Sequence, residues 1–189
     1  MIADKLKWNE RHGSRDGFNP PDIYLRDNLH IFKPGSVLYL ACGRGRNAFF
    51  LASEGFDVTG ADISDLGLEA LQQEAVARGL NIRTVEWDFD EPEALNSLGL
   101  FDNILIINYK PDASLLRLIP LLLTEEGVFL MCSYNEVQAA KNGFPENKAL
   151  YFNEFIDCFY EMQLIDYNRF EDPTGFRDGY IWRKQSNEK

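Results

Sequence analysis

The stretch that decides the fold is VLYLACGRGRNAFFLASEGFDVTGADIS, residues Val37 to Ser64. With the preceding serine, its opening run from Ser36 to Ala41 is apolar enough to be a strand buried on both faces. The turn CGRGRN follows, then a helix-compatible segment from about Arg46 to Glu54. Gly55 fits the left-handed position that commonly ends a helix. Asp57 to Ala61 reads as a second strand, with Asp62 at its tip. Gly43-x-Gly45-x-x-Ala48, set between a strand and a helix, lets a ligand touch the backbone close to the helix N-terminus. Asp62, nineteen residues after Gly43, is placed to accept both hydroxyls of a ribose, and it repels a 2′-phosphate.

Outward from this unit the alternation continues. Ser64 to Arg78 is a predicted helix with Leu68, Leu71, Ala75 and Val76 on one stripe and Gly79 closing it. NIRTVEWD is a third strand with Asp88 just past its end, and FDNILIINY a fourth, buried on both faces. Asp112 to Leu123 is helical in composition, with Pro120 predicted to kink it. EEGVFLMCSY supplies a turn and a fifth strand. After an irregular stretch, Asn153 is predicted to cap a helix running to about Glu161. MQLIDYNRFE and GYIWRK are the last strands, joined by a loop that holds Pro173, Gly175 and Arg177. No crossover helix separates them, so they should pair antiparallel.

Residues 1–35 are polar with scattered aromatics and are broken by GFNPPD, with Trp8 and Tyr24 expected on short helices either side. The whole pattern predicts an α/β fold: a doubly wound, mostly parallel seven-stranded sheet with a C-terminal antiparallel hairpin. It is read as one domain over residues 1–189, in which residues 1–35 form an N-terminal lid segment.

Thirty acidic against 19 basic residues give a net charge of −11, a field that repels nucleic-acid phosphates and anionic lipid surfaces. Neither is therefore an expected partner. Cys42, Cys132 and Cys158 are too widely spaced for a disulfide framework and lack metal-ligand spacing. The two histidines, His12 and His30, stand in no ligand cluster, so no metal is expected. The start MIADKLKWNERHGSRDG has no apolar signal core, and no run approaches a membrane span. These features point to a soluble cytoplasmic protein, monomeric or homodimeric.

Two nucleoside cofactors use such a loop. A nicotinamide reductase of the short-chain type needs Tyr-x-x-x-Lys on a helix, whereas Tyr180-x-x-x-Lys184 falls on a predicted strand, where the side chains stand about 13 Å apart. The 35-residue lead before the first strand and the antiparallel ending also favour S-adenosylmethionine (SAM), which carries no phosphate but can use the same donors through its carboxylate and ribose.

Over nearly its whole length the chain resembles the class I SAM-dependent methyltransferases. VLYLACGRGRNA is similar to their first motif, FDVTGADIS to the second, EWDFDE to the third and FDNILIINY to the fourth. KWNERH, together with GRGRNAFFLASEGFDVTG, looks closest to the tellurite-resistance-type branch. The resemblance implies that Ala41, Cys42, Gly43, Gly45 and Asn47 line the cofactor loop, that Asp62 takes the ribose and that Ile63 lies under the adenine. It implies further that Asp88 receives the adenine amino group, with Phe89 or Trp87 beside the ring, and that Asn108 and Tyr109 face the methionine end and the transferred methyl. Two positions depart from the family: Tyr39 stands where many members have an acid, and Ala41 where many have glycine. Ala41 is compatible with the motif if it keeps the negative φ of a strand residue. Asn108-Tyr109-Lys110-Pro111 does not match the Asn-Pro-Pro-Tyr of base-amino methyltransferases of DNA.

Methyl transfer from a sulfonium is an in-line displacement, so alignment and exclusion of water matter more than acid–base chemistry. The acceptor is read as a small molecule, a thiol or a chalcogen oxyanion. Its site is expected beyond strands four and five, under a roof drawn from Trp8, Arg11, His12 and Tyr24. Tyr109, Asn108 and His12 are the candidate catalytic residues. A non-catalytic SAM or S-adenosylhomocysteine sensor of the same fold is the alternative, favoured by Tyr39.

Overall fold

The computed structural model describes residues 2–14, 17–88 and 91–186. Seven strands form one sheet: β1 (Ser36–Leu40), β2 (Asp57–Asp62), β3 (Ile82–Glu86), β4 (Phe101–Ile107), β5 (Leu123–Tyr134), β6 (Met162–Asp172) and β7 (Gly175–Lys184). Their order is β3-β2-β1-β4-β5-β7-β6. The first five run parallel, and β7 lies antiparallel between β5 and β6. The expected mixed sheet and closing hairpin are both present.

Among the described residues there are six α-helices: α1 (Ile2–Gly13) and α2 (Ile23–Asp27) precede the sheet, and α3 (Arg46–Ser53), α4 (Asp65–Ala77), α5 (Ala113–Leu122) and α6 (Glu136–Asn142) join its strands. Their ends obey local chemistry. Ser64 and Asp112 accept from Gly67 N–H and Leu115 N–H as N-caps of α4 and α5. Gly55 and Gly79 follow α3 and α4 with φ of 91° and 67°, as their positions predict.

The period of two along the strands sorts side chains to two cores. One face holds Leu38, Leu40, Ile104, Ile106, Phe129 and Trp182, and the other holds Val37, Tyr39, Leu105, Leu130 and Ile181. Across the hairpin side, Tyr167, Tyr180, Trp182 and Phe129 stack in a row with centroid spacings of 4.6, 5.2 and 5.2 Å. Val76, placed on the buried stripe of α4 by its spacing, is 79% exposed in the last turn of that helix.

Two expectations after β5 are corrected. The stretch read as irregular contains α6, whose N-cap Asn135 accepts from Val137 and Gln138 N–H and whose C-terminus meets left-handed Gly143. The predicted helix from Asn153 to Glu161 is instead a run of turns. Its bonds span three residues, as from Ile156 N–H to Asn153 O at 3.4 Å and Cys158 N–H to Phe155 O at 3.3 Å. Asn153 has φ 59°, not the extended backbone of an N-cap, and Phe159 turns its ring onto Phe129 and Trp182. Aromatic anchoring has overridden helical propensity there.

Candidate functional site

Strand order reverses between β1 and β4, and in such sheets ligands bind in the crevice beyond the carboxyl ends at that point. Both flanking strands end in a left-handed residue, Ala41 with φ 54° and Asn108 with φ 60°. The negative φ expected for Ala41 is thus wrong. The chain must turn sharply out of the sheet here to deliver the glycine loop, and a strand conformation would carry it straight on.

Within the loop, Gly43 and Gly45 hold φ of 54° and 84°. A β-carbon on Gly45 would lie 2.5 Å from Leu71 Cγ, so α4 packs where any side chain would stand. Gly43 N–H donates to Asp62 Oδ2 at 2.7 Å, and Ser64 N–H donates to Asp62 Oδ1 at 2.9 Å. Each oxygen keeps a further lone pair, which is what two ribose hydroxyls require. Burial pushes the Asp62 carboxyl above its ordinary value, opposed by the N–H groups of Ser64, Gly43 and Ile63. Cys42 is buried behind the loop with Sγ against Gly60, and burial drives its thiol well up, so it is inert packing. Ile63 is buried at the tip of β2. Asp88 is half-buried just past β3, and its carbonyl accepts from Glu91 N–H at 3.0 Å. Trp87 is buried in the core with Nε1 on Glu91 O, and Phe89 lies outside the described residues.

Helix α1 lies across this side of the crevice. Lys5 bridges Glu86 at 2.6 Å and Asp65 at 3.0 Å. Asn9 donates to Asp65 at 2.7 Å and accepts from Ser64 Oγ at 2.7 Å. The His12 ring lies so close to Gly43 that a β-carbon there would meet it at 3.0 Å. Trp8 stacks on His12, and Arg11 sits over Trp8. The roof expected from Trp8, Arg11 and His12 therefore covers the glycine loop and Asp62, not the space beyond β4 and β5. Tyr24 is no roof: it is 4% exposed, stacked on Phe170, with its hydroxyl donating to Asp166 at 2.7 Å.

Beneath the crevice runs a polar network that the sequence reading missed. Tyr39 Oη, at the position of the missing acid, accepts from Asn47 Nδ2 at 2.8 Å. Asn47 Oδ1 accepts from Asp22 N–H at 2.8 Å, so the Asn47 amide is turned inward at both ends and away from any ligand. Asp22 Oδ2 accepts from Arg46 Nη2 at 3.2 Å and Arg177 Nη1 at 2.6 Å. Arg177, read as a loop residue, lies inside β7 and is 1% exposed. Its Nη2 donates to Asn108 Oδ1 at 2.9 Å. Burial needs partners for a guanidinium, and Asp22 and Asp172 supply them. Asp22 was traceable in one respect only: it follows the two prolines of FNPPD, an N-cap position, and it does cap α2 through Tyr24 N–H.

On the other face, Asp178 accepts from Asn135, Tyr167 and Arg169, which also bridges Glu136 at 2.6 Å. That cluster ties α6 to the hairpin. Past the tip of β4, Tyr109 is half-buried against the core, and Lys110 bridges Glu154 at 2.7 Å beside the Tyr151 ring. An open cavity of ≈ 350 Å³ between His30, Lys33, Glu126 and Arg183 lies at the opposite end of the strands and carries none of these features. Among the described residues, no group of three His, Cys, Asp or Glu side chains could hold a metal ion, and no helix is long and apolar enough to cross a membrane.

A reversed strand order with an antiparallel seventh strand, a glycine turn after β1 and an acid ending β2 defines the class: this is the fold of the class I SAM-dependent methyltransferases. The protein in the structure described as conversion of a disulfide bond into a thioacetal group during echinomycin biosynthesis shares it, with TM-score 0.76 and 19% identity over 99% of this chain and 93% of that one. TehB from Haemophilus influenzae shares it with TM-score 0.71 and 21% identity, over 86% of this chain and 62% of that one. At these identities the likeness is one of fold. Within the class, the likeness in sequence is to one family: the model described as tellurite resistance protein TehB matches residues 21–109. A 64-residue stretch, 34% of this chain, is 36% identical to the probable SAM-dependent methyltransferase TehB of Haemophilus influenzae and spans 22% of that protein's length.

Proposed function

We propose that the protein is a SAM-dependent methyltransferase acting on a small molecule in the cytoplasm, as a monomer or homodimer. The observation that carries this reading is Asp62, anchored by the Gly43 and Ser64 N–H groups with lone pairs to spare for a ribose. The turn, free of side chains at Gly43 and Gly45, lines the space for the amino-acid end, Ile63 and Asp88 flank the adenine, and residues 1–35, through α1, form the lid that excludes water. When bound, SAM supplies a methyl group on a sulfonium, and the chain's task is to orient it and to hold an acceptor in line.

The acceptor we infer is a soft anion, a thiolate or a chalcogen oxyanion, received past β4 by Tyr109 and Lys110. Such an acceptor needs no general base, which agrees with His12 being engaged beside the glycine loop. The names of the similar proteins, one concerned with tellurite resistance and one with disulfide-to-thioacetal conversion, support the same choice.

A second reading, a nucleoside sensor without turnover, draws on Tyr39: its hydroxyl is committed to Asn47, and burial pushes the phenol far up, so it cannot act as the missing acid. Calorimetry with SAM, S-adenosylhomocysteine and NAD tests the cofactor, and absence of binding by the first two sinks both readings. Turnover of methyl-labelled SAM over a panel of thiols and oxyanions separates enzyme from sensor.

A further inference from the structure

Asn108 occupies the mouth of the crevice, exposed, at the tip of β4, in a left-handed conformation that L-residues rarely adopt. Its N–H donates to Cys132 O at 2.9 Å, and its Oδ1 takes a hydrogen bond from Arg177 Nη2 at 2.9 Å. A guanidinium donates and never accepts, so this contact fixes which end of the Asn108 amide is which. Oxygen faces Arg177, and Nδ2 is the end left for a ligand. Arg177 is in turn clamped, with Nη1 on Asp22 at 2.6 Å and on Asp172 at 3.3 Å. Buried ion pairs are weak sources of stability, and their best-attested use is to specify geometry. The geometry specified here is that of one exposed amide.

We propose that Arg177, locked by Asp22, is a positioning residue that orients the Asn108 amide so that Nδ2 donates to the carboxylate at the amino-acid end of the cofactor. The proposal rests on the crevice being a SAM site and deepens that reading. It gives β7 a part in cofactor recognition, although the glycine loop and Asp62 lie on other strands.

Three variants and two ligands test it. Asn108→Asp keeps the left-handed backbone and the bond to Arg177 but replaces the donor by an acceptor. Arg177→Lys keeps the charge against Asp22 and Asp172 but loses the fork. Calorimetry compares S-adenosylhomocysteine with 5′-methylthioadenosine, which lacks the amino-acid end, and thermal unfolding of the free protein is recorded alongside. Each variant is expected to bind S-adenosylhomocysteine at least tenfold more weakly and methylthioadenosine as the wild type does. The double variant should lose no more than Asn108→Asp alone, because the two residues act through one contact.

Wild-type affinity for S-adenosylhomocysteine in Asn108→Asp, equal losses for both ligands, or additive losses in the double variant would each overturn the proposal. If Arg177→Lys does not fold, Asn108→Gly decides: it keeps the backbone without the amide, and undiminished preference for S-adenosylhomocysteine refutes the role. A wild-type protein that binds neither nucleoside refutes the cofactor reading itself, a failure visible before any variant is made.

Discussion

Ala41 and Asn108 end the adjacent strands β1 and β4, and both do so in the left-handed region, at φ 54° and 60°. Asparagine tolerates this conformation through its side-chain hydrogen bonds; alanine has no such compensation. Ala41→Gly should therefore raise stability by up to about 1 kcal/mol, or about 2–4 °C in Tm, net of the extra freedom glycine has when unfolded. Differential scanning calorimetry checks this, and a lower Tm would show that the turn is not strained.

Tyr39→Phe is expected to act the other way. Asn47 is 0% exposed, and its Nδ2 would lose its acceptor with no water to replace it. The loss should be about 1–3 kcal/mol in urea unfolding. Tyr39→Glu, which restores the acid common in the family, should cost more, because Arg46 and Arg177 already serve Asp22.

Asp62→Ala should weaken binding of S-adenosylhomocysteine by at least tenfold, read by calorimetry. Acid should weaken the wild type similarly. The folded pKa of Asp62 is raised above 3.8 by burial, so protonation competes with the nucleoside at a pH above the ordinary carboxyl range. For the free protein the sign is opposite: a raised acid pKa favours the fold at low pH and loses that contribution as pH rises through it. Asp62→Asn should abolish both trends.

Asp102 behaves conversely. Burial would raise its carboxyl, but Ser36 N–H, Lys33 and the hydroxyls of Ser36 and Thr124 hold it below 3.8. Its stabilising contribution is present above about pH 4 and disappears as pH falls through the lowered value. Asp102→Asn should cost about 1–2 kcal/mol at pH 7 and progressively less towards pH 2, as followed by circular dichroism.

Helix α1, the proposed lid, is fastened by contacts that water can replace, among them Lys5 with Asp65 and Glu86, whose side chains are half exposed. Raising ionic strength to about 1 M, where the screening length is about 3 Å, should speed nucleoside release severalfold in stopped-flow measurements. Lys5→Gln should remove that salt dependence.

Much of this was legible before the fold was known. β1, β2 and β4 show as apolar runs because a central parallel strand is buried on both faces, and glycine spacing with Asp62 marks the crevice. What stayed hidden is non-local. Asp22 and Arg177 are 155 positions apart, and no periodicity links them. Tyr24 is aromatic and near a proline break, which reads as a surface lid, yet it packs onto Gly179 of β7, where only glycine leaves room. Ala41 looked like a strand residue because its left-handed turn is imposed by the loop that follows. α6 was missed in favour of the segment after Asn153 because Asn135 and Asn153 both read as N-caps in sequence, and only the packing of Phe155 and Phe159 decides between them.

Insertion of β7 between β5 and β6 also sets the order in which the molecule can be finished. Until residues 175–184 have been synthesised, β5 is an open sheet edge, Asp22 has Arg46 but not Arg177 as its partner, and the Asn108 amide lacks the guanidinium that orients it. A nascent or prematurely terminated chain can thus build the glycine turn and Asp62 yet hold an incomplete crevice beside an unpaired strand, a species prone to self-association. The contacts that complete the crevice are made only when the β6–β7 hairpin is in place.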